Sequence, residues 1–144
     1  MSTSSDWRVG SKYNLKGKQY LGVDASKVII DEIQEFMTPS IKFICVDAAE
    51  FLMPHVDLVL IKDVLQHLDT KTIKNILEKV FTRAKFALFC NDILPSTNSE
   101  IEIGGYRGLN LQHEPFNLKL VNLDFYGTQT KPINYWEKES KDSN

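Results

Sequence analysis

Three aspartates close three apolar runs. Asp24 ends "KQYLGVD", Asp47 ends "IKFICVD" and Asp63 ends "VDLVLIKD". Burying a carboxylate without a partner is costly, so an acid at the end of a core-bound run belongs at the rim of a fold. Two chemistries are open to it there. It can accept hydrogen bonds from a ligand's hydroxyl or amino groups, with the strength of a charged acceptor. It can also cap the segment that follows by accepting backbone N–H groups. For Asp24 the ligand in question is a ribose, and this reading and the helix-cap reading stand level. For Asp47 the choice lies between the amino group of an adenine and a cap. Small residues follow both acids, Ala25 and Ser26 in one case and Ala48 and Ala49 in the other. They leave room for a flat base to approach the backbone.

Other residues carry weaker signals. His67 follows Asp63 by four, a spacing that puts both on one helical face. It is suited to general-base work or to a structural hydrogen bond. Lys62 precedes Asp63 directly. Arg107 lies in a glycine-containing loop with Tyr106 and Asn110. It either binds a substrate carboxylate or phosphate bidentately or orders its own loop. His55, His67 and His113 lack metal-ligand spacing, so no metal site is expected. Cys45 and Cys90 both sit inside apolar runs and read as buried, inert thiols rather than a bridge. There is no serine or cysteine nucleophile motif and no phosphate-cradling loop.

The elements that must position these residues alternate in type. Residues 18–24 read as a buried strand, and Ser26 caps a helix carrying Ile29, Ile33, Phe36 and Met37 on one face. Residues 41–47 form the next strand and 48–53, "AAEFLM", a short helical piece. Residues 56–63 form a third strand, 70–81 a helix with Ile73, Ile76, Leu77, Val80 and Phe81 at helical spacing, and 85–92 a fourth strand. A long irregular stretch runs over 93–116. Residues 117–125 and 131–138 make an antiparallel hairpin; Trp7 and Trp136 are core candidates, with Trp136 alternating with Tyr135 on an edge strand. This order predicts an α/β domain with a parallel sheet covered on both faces. In such sheets ligands bind outside the carboxyl ends of the strands, which puts Asp24, Asp47 and Asp63 on that rim.

The 144 residues suit one domain over 18–138, after an N-terminal segment 1–17 and before a polar, frayed tail 139–144. With 17 basic and 19 acidic side chains the formal charge is -2 and no like-charge block stands out, so nothing points to a nucleic-acid partner. No apolar stretch approaches the ~20 residues of a membrane span, and "MSTSSDWRVGSK" has no signal-peptide core. A reducing, cytoplasmic location is the expectation.

"YLGVDAS", "IKFICVDAAEF" and "DLVLIKDVLQHL" resemble the second, third and fourth strand motifs of class I S-adenosylmethionine (SAM)-dependent methyltransferases. "GGYRGLNLQHEPFNL" is similar to the loop before the sixth strand in a bacterial-type branch, and the resemblance spans roughly 18–138. It implies a Rossmann-like methyltransferase fold, a mostly parallel sheet with a C-terminal antiparallel hairpin. It implies SAM as cofactor and methyl transfer by direct displacement to an unknown acceptor. By it Asp24, Ala25 and Ser26 hold the ribose side, Asp47 and Ala48 face the adenine, and Lys62 and Asp63 line the methionine end. They also line the transfer site, and His67 stands near the crevice mouth, which makes Asp63 and His67 the catalytic candidates; Arg107 and Asn110 are substrate candidates from their place in the loop, not from the resemblance.

One departure is large. The family's apolar first strand and its glycine-rich turn are missing, and "SSDW" (4–7) stands where the turn should finish. The expectation is an N-terminally truncated fold with weakened cofactor affinity. The second and fourth strands must then pair directly, or something must fill the gap, leaving an exposed sheet edge for a second copy or a partner chain. A catalytically inactive methyltransferase-like binding or regulatory protein is the alternative. A nucleotide-binding module for another adenosine ligand is the third reading.

Overall fold

Extended and helical stretches alternate along the chain as the apolar spacing requires. In the computed structural model, which describes residues 2–3, 7–94, 98–127 and 129–140, the chain divides into two units, Met1–Leu52 and Met53–Asn144.

The first unit contains β1 (Ser2–Thr3), α1 (Trp7–Gly10), β2 (Tyr20–Asp24), α2 (Lys27–Ile33) and β3 (Ile41–Cys45). Its strand order is β3-β2-β1. β2 and β3 run parallel, from Tyr20 opposite Ile41 to Asp24 opposite Cys45. The place beside β2 that the sequence leaves without a first strand is taken by β1, which pairs parallel with Gly22 and Val23. Residues 4–6 of "SSDW" lie outside the described residues. Ser26 caps α2 through its side chain, which accepts from the Ile29 N–H.

The core of this unit is aromatic. Trp7, Tyr20, Phe43, Ile30 and Ile33 are buried together. Trp7 meets Tyr20 edge-on at 5.2 Å and Phe43 at 4.9 Å between ring centroids. Such pairs contribute about 0.5–1.5 kcal/mol each beyond the area they bury. So Trp7 is core, as its type suggested.

Three local expectations fail here for identifiable reasons. The buried face of α2 is Ile30 and Ile33, while Phe36 and Met37 are exposed. The α-helix stops at Ile33 and tightens into a 3₁₀ turn over Gln34–Phe36, which breaks the 3.6-residue stripe. "AAEFLM" is a single turn, not a helix: Glu50 and Phe51 N–H both donate to the Asp47 carbonyl. Pro54 then forces an extended approach. Cys45 is exposed, because β3 pairs only with β2 and buries just Phe43 fully.

The second unit contains β4 (Val56–Lys62), α3 (Thr70–Arg83), β5 (Ala84–Cys90), β6 (Val121–Phe125) and β7 (Pro132–Glu137), in the order β4-β5-β7-β6. β4 and β5 are parallel, and β7 is antiparallel to both β5 and β6. Asp69 caps α3 at Thr72, and Ile73, Ile76, Leu77 and Val80 are its buried face. β7 lies between β5 and β6, so Trp136 is on an internal strand rather than an edge; it packs on Phe81 at 4.7 Å. The outer strand is β6, exposed throughout. Among the described residues, 93–116 form no helix or named strand, yet Leu109 and Leu111 from this stretch are buried. No helix among the described residues is long and apolar enough to cross a membrane.

Gly10, which has no room for a side chain, yields a test. A Cβ built on Gly10 would sit 2.6 Å from the Trp7 ring, which Tyr20 and Phe43 hold in place. Gly10→Ala is expected to lower stability by about 1–3 kcal/mol. Urea denaturation would show this as a lower midpoint at an unchanged slope.

Candidate functional site

Parallel pairing brings two of the three acids together. Asp24 ends β2 opposite Cys45, and the chain beyond continues the pairing, with Val46 N–H donating to the Asp24 carbonyl at 3.0 Å. Asp47 follows directly. Each acid does the same local work. Asp24 Oδ1 accepts the Ser26 N–H at 2.8 Å, and Asp47 Oδ1 accepts the Ala49 N–H at 2.8 Å. These are side-chain turns two residues long, the local habit of aspartate. One oxygen of each carboxylate is thus spent on a local turn, and the cap of α2 is Ser26 rather than Asp24. The other oxygen of each accepts nothing from the described residues. Ala25 is exposed and Ala48 half-buried, so no bulky side chain stands over either acid from these positions. A half-satisfied carboxylate beside small residues fits a polyhydroxylated or amino-bearing ligand such as the adenosine part of SAM.

The second unit gathers the charged residues at the end of β4. Asp63 N–H donates to the Cys90 carbonyl, and the backbone then turns through a left-handed conformation at Asp63, with φ at 56°. A non-glycine residue there costs of order 1–3 kcal/mol, though aspartate tolerates it better than most. Both carboxylate oxygens are engaged. Lys62 Nζ lies 2.6 Å from Oδ2 and Lys131 Nζ 2.9 Å from Oδ1. Lys62 also lies over the Tyr126 ring, 4.4 Å from its centroid, a cation–π contact. Burial raises the Asp63 carboxyl, but the two ammonium groups outweigh it and hold it below the ordinary carboxylate value. Burial works against the Lys62 ammonium, and Asp63 outweighs that too, leaving the lysine above its usual value. Burial and the Asp63 charge push the Cys90 thiol up. Asp63 is therefore a committed anion, unsuited to taking a proton, and its charge is overmatched by two cations.

His67 sits in a 3₁₀ turn, Leu65–His67, between β4 and α3. Its Nδ1 lies 2.9 Å from the Gly105 carbonyl. A carbonyl only accepts, so Nδ1 carries the hydrogen and Nε2 of the neutral ring keeps its lone pair. Gly104 N–H donates to the His67 carbonyl at 2.8 Å, and Tyr106 packs 5.8 Å from the imidazole.

Arg107 and Asn110 turn out to order the loop. Arg107 is 4% exposed, and its Nη1 and backbone N–H both donate to the Gln66 carbonyl. Its Nε and Nη2 are buried without partners among the described residues. Burial lowers its affinity for its proton, with Glu100 and Asp69 working the other way. Asn110 Oδ1 accepts from Gln112 N–H, while its backbone N–H and carbonyl are held by the Asn98 side chain. The Arg107 side chain is too buried to grip a substrate, whereas Asn110 is half-buried.

Three residues of this region have no signal in the sequence. Gln66 is 5% exposed, and its Oε1 accepts the Asp92 N–H at 2.7 Å. It thus ties the His67 turn to the end of β5. Lys131 reaches Asp63 from 68 positions away, and Tyr126 reaches Lys62. Their only local mark is a place in the hairpin turn.

The Asp63 pair predicts an acid-limb effect. A depressed folded value contributes stability that is present in full above about pH 4, the unfolded carboxyl value. It is lost as the pH falls through the folded value. Asp63→Asn, which keeps a residue type that tolerates positive φ, should be less stable at pH 7. It should also lose less stability between pH 4 and pH 2 than the unsubstituted protein. Urea unfolding across that range reads both.

No family model matches the chain and no curated protein matches it. Solved structures do. Human N-acetylserotonin methyltransferase, solved in complex with SAM, is similar at a TM-score of 0.65 and 15% identity, over 96% of this chain and 47% of its own. The PH0226 protein from Pyrococcus horikoshii OT3 gives 0.61 and 16%, over 86% and 73%. Magnesium protoporphyrin IX methyltransferase (ChlM) from Synechocystis PCC 6803, with bound SAH, gives 0.58 and 14%, over 84% and 64%. The chain thus spans about half the length of the human protein. With its parallel β2–β3 and β4–β5 pairs, closing antiparallel hairpin and acids at the strand ends, the chain has the class I SAM-dependent methyltransferase fold.

Proposed function

We propose that the protein is a SAM-dependent methyltransferase acting on an acceptor that bears a removable proton. One observation carries the reading: Asp24 closes one of two parallel strands and Asp47 follows two residues after the end of the other, each with one oxygen spent on a turn and one unspent. Asp24 takes the ribose hydroxyls and Asp47 the adenine amino group. Ala25, Ser26 and Ala48 give the backbone clearance between them. When bound, the cofactor supplies a methyl group activated on a sulfonium. The second unit offers one candidate general base. The Gly105 carbonyl holds Nδ1–H of His67, so Nε2 is the ring atom open to an acceptor's proton. Asp63 does not serve as the base, because Lys62 and Lys131 keep it ionised. Its task is to tie the hairpin turn to the end of β4.

The charged cluster after β4 favours a second reading. Asp63 is spent on ion pairs with Lys62 and Lys131 and on the turn they fasten, so it is structural rather than chemical. A methyltransferase-like binding protein that holds S-adenosylhomocysteine would show this pattern without turnover.

Calorimetric titration of the full chain with both ligands separates the two. The methyltransferase reading expects saturable binding of SAM and at least a tenfold loss in Asp24→Ala and in Asp47→Ala. Binding of S-adenosylhomocysteine alone, with the same losses, would favour the second reading. No binding of either at millimolar ligand would sink the cofactor assignment.

A further inference from the structure

The opposite ends of β4 and β5 hold a second cluster that the methyltransferase reading does not use. Val56 and Ala84 are paired there. Lys62 lies six residues up β4, about 20 Å away at the rise of a strand. A surface hollow of about 420 Å³ is lined by His55, Asp57, Arg83, Lys85 and Lys138. Lys85 and Asp57 pair at 2.7 Å, both largely exposed. Arg83 has no carboxylate partner among the described residues. Its Nη1 instead donates to His55 Nε2 at 3.1 Å. Since a guanidinium has no acceptor atoms and stays charged, this contact fixes His55 with a lone pair on Nε2. Its Nδ1–H is left as a further donor. Lys138 is held near by its backbone N–H on the Lys85 carbonyl and its Nζ on the Thr82 carbonyl, 3.1 Å away.

The charges do not balance. Arg83, Lys85 and Lys138 bring three positive charges and Asp57 one negative, leaving two, in a chain whose total is -2. The end of α3 opposes an anion here, because its last carbonyls carry partial negative charge. Lys138 already covers one of them. What remains is a guanidinium with four unspent N–H donors and an imidazole N–H, beside two ammonium groups. That set matches a compact tetrahedral dianion, which guanidinium grips bidentately and lysine holds as a point charge. We propose that this hollow binds a phosphate group, either free or as a monoester on a larger molecule, independently of the cofactor crevice.

The test is a side-chain ¹⁵N NMR titration of the full chain, following Arg83 Nε–H and the His55 ring. Inorganic phosphate and glycerol phosphate are added separately, each against sodium chloride at equal ionic strength. Saturable shifts specific to phosphate are expected, weakened at least tenfold in Arg83→Ala and severalfold in Lys138→Met, with Asp24→Ala unchanged. Tighter binding of the ester would identify an esterified ligand, and equal binding a free one. If chloride gives the same shifts, or if both Arg83→Ala and Lys138→Met bind as the parent does, the proposal is wrong.

Discussion

Parallel strand pairing is the constraint from which the rest of each unit follows. Strands that run the same way end on the same side, and so do the residues immediately after them. In the first unit the register that sets Asp24 opposite Cys45 also sets Asp47 just past the neighbouring end. In the second, Lys62 opposite Cys90 places Asp63 next to the start of the loop that leaves β5. A one-residue slip would turn every strand side chain to the other face and part these pairs. The aromatic cluster around Trp7 and the buried face of α3 fix the registers, because each buries its apolar side chains in only one alignment.

Placing polar residues at strand ends has a cost, and the chain meets it with hydrogen bonds rather than charge pairs where space is small. Gln66 is the main example. Its carbonyl takes two donors from Arg107 and its side chain takes the Asp92 N–H. Loss of that side chain would leave a part-buried donor without its partner, which costs about 1 kcal/mol. The loop 98–111 is therefore irregular without being loose. Leu109 and Leu111 anchor it, and Asn98 ties it to Asn110 and Glu114. Arg107 stays undersatisfied, with its buried Nε and Nη2 left without partners among the described residues.

At the end of β4 the opposite solution appears. The backbone strain at Asp63 is offset by two charge-assisted bonds, and those bonds fasten the β6–β7 turn in place. The result is an acid whose chemistry is spent on structure. The neighbouring histidine is held by a backbone carbonyl and the Tyr106 ring and keeps the lone pair of Nε2.

The sequence by itself determined the class of fold, the strand and helix order, the apolar face of α3, the Ser26 cap and the acids at the strand ends. All of these are written in local spacing: period two or continuous apolar runs for strands, 3.6 for helices, an oxygen-bearing side chain at a cap. Local spacing misled where a short element was cut off by its neighbours, as with Phe36 and Met37 after the 3₁₀ turn and with residues 48–53 before Pro54. It was silent where partners are distant. That Lys131 neutralises Asp63 and that Arg107 is buried against Gln66 depend on which segments the topology brings together. So does the pairing of Ser2–Thr3 beside β2. A side chain's type states what it can bond, but only tertiary structure decides which partner lies within 3 Å.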